Sequence, residues 1–77
     1  MSNMMIINSI KFLLSQGIDI NFNKLSASRI ERGLGNNRKI QYQVHSSYKG
    51  FVFSHLYDDI DVAIDKFMLI FNIVNGE

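Results

Sequence analysis

The side chains best equipped for proton transfer or metal binding are His45, His55, Asp58, Asp59, Asp61 and Asp65. Catalysis needs a histidine within hydrogen-bond reach of a nucleophile or carboxylate. Asp58 is the nearest candidate, but no local spacing enforces the contact, and strand alternation turns His45 and His55 to opposite faces. A divalent cation needs a loop that converges several oxygens. Asp61 and Asp65 instead follow helical spacing, and Asp58, Asp59 and Asp61 fall where a helix start favours negative charge. No Ser-His-Asp order, phosphate-binding loop or dinucleotide fingerprint is present, and Gly33-Leu34-Gly35 alone is too short to count as one. The expectation is a protein with no catalytic residue, no metal ligand and no cofactor.

Charge points elsewhere. Residues 24–49 hold Lys24, Arg29, Arg32, Arg38, Lys39 and Lys49 against Glu31 alone, a net of +5. Residues 50–77 hold Asp58, Asp59, Asp61, Asp65 and Glu77 against Lys66, a net of −4, and residues 1–23 are neutral. A basic middle nearly cancelled by an acidic end can offer two surfaces to two partners. Helix capping accounts for most of the acidic end, so the basic block is the stronger pointer to a contact surface for an acidic protein or for phosphates.

The elements that must position these groups fit within one small domain spanning residues 1–77. A chain this short buries only about 60–65% of its unfolded surface and needs good packing, a staple or self-association. Cysteine is absent, which excludes disulfides and thiolate metal sites and fits a reducing, cytoplasmic setting. Met1 to Leu14 has no leading positive charge and is interrupted by polar residues, unlike a signal peptide. The longest apolar run, Phe67 to Phe71, is far too short to span a membrane. Eleven isoleucines and eight asparagines, with no Pro, Trp or Cys, are what an AT-rich genome encodes, such as a low-GC bacterium, its phages or its mobile elements.

Ile6, Ile10, Leu13 and Leu14 form a helical stripe ended by Gly17. Residues 18–23 alternate and form an extended connection or a short strand. Residues 24–32 fit a short helix or a strand, and the turn-rich Gly33 to Asn37 followed by alternating Arg38 to Ser46 favours the strand. Pairing Ile30 with Ile40 and Arg29 with Gln41 matches apolar to apolar and polar to polar. A second turn at residues 47–50 leads into a strand over 51–57, with Val44 beside Phe53. Asp58 or Asp59 then caps a helix whose stripe is Ile60, Ala63, Ile64, Phe67, Phe71 and Val74, stopped by Asn75-Gly76.

The expected fold is α+β, in the order α-β-β-β-α, a three-stranded antiparallel sheet with two helices on one face. Its element order resembles that of double-stranded RNA-binding domains, which clamp phosphates with lysines at the start of the second helix. Asp58-Asp59-Ile60-Asp61 stands there instead, so the resemblance ends at element order.

The other sheet face should be open, carrying Arg29, Gln41, Gln43 and His45, with Arg32, Arg38 and Lys39 around the first hairpin loop and Tyr48 and Lys49 at the second turn. All of these except His45 make up the expected partner surface: Arg29, Arg32, Arg38, Lys39, Gln41, Gln43, Tyr48 and Lys49. A protein with an acidic surface is the expected partner, nucleic acid the alternative. Phe12, Met68, Leu69, Ile70 and Ile73 exceed what a small core can bury and mark a self-association face, with a two-fold homodimer as the expected product. The functional expectation is a non-enzymatic interaction protein of the phage-encoded inhibitor type.

Overall fold

Helix α1 (Asn3–Ser15) forms along the apolar stripe and buries Leu14 fully, with Ile6, Ile7 and Ile10 packed against the core. It closes in a Schellman motif, in which Ile18 N–H donates to Leu13 O and Gly17 N–H to Leu14 O, both at 3.0 Å, with Gly17 at φ 81°. The computed structural model describes residues 3–75. Gly76, expected with Asn75 to stop the second helix, lies outside the described residues.

Four strands follow in an antiparallel meander: β1 (Ile20–Phe22), β2 (Leu25–Arg32), β3 (Lys39–Tyr48) and β4 (Phe51–Tyr57). Residues 18–23 thus supply a short edge strand, and the sheet has four strands rather than three. Within residues 24–32, Leu25–Arg32 form the strand that the downstream context favoured, and Lys24 belongs to the turn before it. Helix α2 (Ile60–Asn75) lies across β2, β3 and β4, while α1 lies beside α2 over β1 and β2. Both helices cover one face, and no element among the described residues covers the other. The Cα extents of 44 × 31 × 17 Å describe such a two-layer plate.

The register of β2 on β3 differs from the expectation by one residue. Ile30 pairs with Gln41, Arg29 with Tyr42 and Glu31 with Ile40. A one-residue slip exchanges the faces of a whole strand. Leu25 and Ile30, the two large apolar residues of β2, are five apart and point to opposite sides. Leu25 and Ala27 together occupy the core, at 1% and 2% exposure, which leaves Ile30 on the open face and turns Arg29 toward the helices.

The register of β3 on β4 is displaced by two, which preserves the faces. Val44 pairs with His55 and Ser46 with Phe53, because Lys49 and Gly50 alone make the turn between Tyr48 and Phe51. Both take positive φ, 49° and 84°, the geometry of a two-residue turn that matches strand twist.

The core comprises Leu14, Leu25, Ala27, Val44, Ala63, Ile64, Phe67 and Met68. Met68, expected at the surface, fills the space under α2 instead. Asp59 is the N-cap of α2, its Oδ1 accepting from Asp61 N–H at 2.8 Å. Lys11 Nζ lies 2.8 Å from Asp61 Oδ1 and ties the two helices together, and this hydrogen bond, then the attraction of the charge, raises the lysine pKa. No buried side-chain N or O among the described residues lacks a partner.

Candidate binding surfaces

The open face is built by alternate residues of β2, β3 and β4: Ser26, Ser28, Ile30 and Arg32, then Lys39, Gln41, Gln43 and His45, then Val52, Ser54 and Leu56. Its amides are organised. Gln43 Nε2 donates to Ser54 Oγ at 2.9 Å across two strands, and Gln41 Nε2 donates to Asp58 Oδ1 at 3.0 Å. Lys39 Nζ stands 3.7 Å from the same Asp58 oxygen.

The β2–β3 loop closes one end of this face, where Arg32 and Lys39 form the last rung. Gly33 is required there. At φ 86°, an added Cβ would come 2.4 Å from Asn37 O, a backbone atom with no freedom to yield. A 3-10 turn over Gly35–Asn37 carries the chain to Arg38, whose Nη2 lies 3.1 Å from Glu31 Oε1.

The basic block is therefore divided. Arg29 lies on the helix side, paired with Glu31 and beside Gly17 at the end of α1, where a cation suits the last helix carbonyls. Arg32, Arg38 and Lys39 remain together at the loop, with Gln41 and Gln43 on the adjoining open face. Tyr48 and Lys49 sit at the far end of the sheet, with Lys49 Nζ 5.3 Å from the Tyr48 ring centroid. Tyr48 shares the parity of Tyr42 and Val44, so it too faces the helix side. That parity was present in the sequence.

On the helix side, the β3–β4 hairpin and the second half of α2 enclose an apolar groove of about 330 Å³. Phe51, Phe53, Leu69, Ile70, Ile73 and Val74 form its walls, with Ser46, Tyr48 and Lys66 completing it. Phe51 is 78% exposed, Leu69 53% and Ile73 54%. Lys66 Nζ lies 5.8 Å from the Phe53 ring centroid. Three of the five residues expected to drive self-association, Leu69, Ile70 and Ile73, meet here. Phe12 is exposed on α1 and does not line the groove. The contribution of Phe51 and Phe53 depends on how the hairpin folds back over α2, which no local pattern states.

His45 lies on the open face. His55 lies on the helix side between Phe53 and Tyr57, with ring centroids 6.4 and 4.6 Å away. Among the described residues no three His, Asp or Glu side chains gather as a metal ion would require, and no helix is long and apolar enough to cross a membrane. Comparison with protein-family models, curated proteins and solved structures finds no match for this chain.

Proposed function

We propose that this protein is a small non-enzymatic binding protein of the cytoplasm, and that its open sheet face and β2–β3 loop occupy an acidic surface of a protein partner. The observation that carries this reading is a sheet face with no covering layer, closed at one end by Arg32, Arg38 and Lys39. At that end Arg32, Arg38 and Lys39 stand against the two carboxylates of Glu31 and Asp58. Arg32 is exposed, and the glutamine row beside it offers donors and acceptors at fixed spacing on a rigid strand. Exposed ion pairs of this kind contribute only roughly 0–1 kcal/mol each, so a partner's carboxylates can compete for their cations at small cost.

Occupancy without chemistry is how an inhibitor works, and the compositional bias fits one encoded by a phage or mobile element. Asp58 already pairs with Lys39 at the same end of the face, which leaves few cations there for a run of phosphates.

The test is capture from host lysate on immobilised protein, with and without nuclease, against an Arg32→Glu/Arg38→Glu variant. The expected result is a protein retained by the parent, insensitive to nuclease and lost in the folded double variant. Equal retention by both proteins would remove the loop from the binding surface. Retention abolished by nuclease, with a steep salt dependence, would assign the face to nucleic acid instead.

A further inference from the structure

A second surface lies on the opposite side of the molecule. Along the outside of α2, Val62, Lys66, Leu69 and Ile73 follow one another at spacings of four, three and four residues. This stripe is separate from the Ala63, Ile64, Phe67 and Met68 face that makes the core. Val62 is 49% exposed, close to the values for Leu69 and Ile73. A 4-3-4 spacing is the pattern of a narrow helix-to-helix seam. The stem of Lys66 can extend that seam while its ammonium stays in water.

We infer that this stripe and the adjoining groove form a two-fold interface with a second copy of the chain, the two α2 helices antiparallel. Area is the first argument. The chain exposes 5371 Å², whereas a compact monomer of 8.9 kDa is expected to expose about 4,800 Å². The excess of roughly 600 Å² approaches one partner's share, about 800 Å², of a standard stable interface.

Charge is the second argument and sets the orientation. The first half of α2 carries Asp65 beside the stripe, Asp61 being held by Lys11 of the same chain, while Lys49, at the tip of the β3–β4 hairpin, adjoins the groove at the second half. Antiparallel helices bring the acidic half of one copy to the level of the other copy's hairpin tip, and they oppose the helix dipoles favourably. Parallel helices would place acid beside acid. In the antiparallel arrangement Val62 of one copy meets Ile73 of the other, and Leu69 meets the Lys66 stem.

Such a dimer turns both open sheet faces outward. Two low-affinity faces on one rigid particle gain avidity on a partner that is itself dimeric or repeated, which goes beyond the single-face reading above and does not depend on it.

Sedimentation of the full chain between micromolar and sub-millimolar concentrations tests the association. The expected result is a dimer that Leu69→Asp or Ile73→Asp converts to a monomer with unchanged far-ultraviolet circular dichroism. A parent that stays monomeric throughout overturns the inference and leaves the groove to another protein. A dimer untouched by both substitutions overturns the choice of surface.

Because the chain has no cysteine, orientation can be read by oxidation. A mixture of Val62→Cys and Ile73→Cys proteins should form the mixed disulfide. Rapid disulfide formation by Val62→Cys alone would overturn the antiparallel order.

Discussion

The two sides of the sheet are built from neighbouring residues and differ in almost everything else. On β3, Tyr42, Val44 and Ser46 face the helices, while Gln41, Gln43 and His45 face away. The first set is packed under α2 and continues into an apolar groove. The second makes side-chain hydrogen bonds across the sheet and ends in a loop of arginines and lysine. A single strand thus serves the core and a polar contact surface at once. The side of any β2 residue is set by a register that one residue's slip would reverse. Arg29 illustrates the consequence: its charge belongs to the basic block, but its position makes it a support for the end of α1 and a partner of Glu31.

The sharpest way to break this contrast is to truncate the two large apolar residues of β2. Leu25→Ala should cost about 2–5 kcal/mol, because the site is fully enclosed. In a domain this small, such a loss is a large part of total stability. Ile30→Ala, on the open face, should cost less than about 1 kcal/mol. Urea denaturation of both variants measures the pair, and equal losses would mean that the two sides are not distinct.

Gly33→Ala should have an intermediate effect, a loss of about 1–3 kcal/mol from enforced strain at positive φ. The clash with Asn37 O displaces the loop that carries Arg32 and Arg38. Thermal melting should show the loss, while sedimentation should stay that of the parent. A variant that changed self-association as well would show that the loop and the groove are coupled.

The smallest effect concerns the tie between the helices. Lys11 has its pKa raised above the usual lysine value by Asp61, so the protonated form is favoured on folding. Its stabilisation is complete below the unfolded lysine value and fades as pH rises through the folded one. Lys11→Met should therefore be less stable than the parent at neutral pH, with the gap closing above about pH 10.5. A gap that persisted unchanged into strong alkali would assign the effect to packing of the lysine stem.

The helices were legible in the sequence because each stripe is read within one segment. Ile6, Ile10, Leu13 and Leu14 define the buried side of α1, and Ala63, Ile64 and Phe67 that of α2, whatever they pack against. The caps were nearly as plain, with Gly17 and the aspartates before Ile60 marking the ends. The sheet was less legible. Ser26 and Ser28 give β2 no polar–apolar contrast strong enough to decide between Leu25 and Ile30, so pairing Ile30 with Ile40 looked as good as the register that forms. Met68 was misplaced for a related reason, since helical spacing alone does not state how wide a stripe the neighbouring elements will cover.

Sequence alone determined the two helices with most of their buried faces, the hairpin of the last two strands and a basic block that local folding does not require. It also marked Leu69, Ile70 and Ile73 as more apolar than a small core could hold. Only the tertiary structure decided which cations stay together and where those residues go. It sent Arg29 to the helix side, left Arg32, Arg38 and Lys39 at the loop, and brought Phe51 and Phe53 over α2 to make the groove. The physical reason is range: stripes and caps act over three to five residues, whereas register and groove are fixed by contacts between segments tens of residues apart.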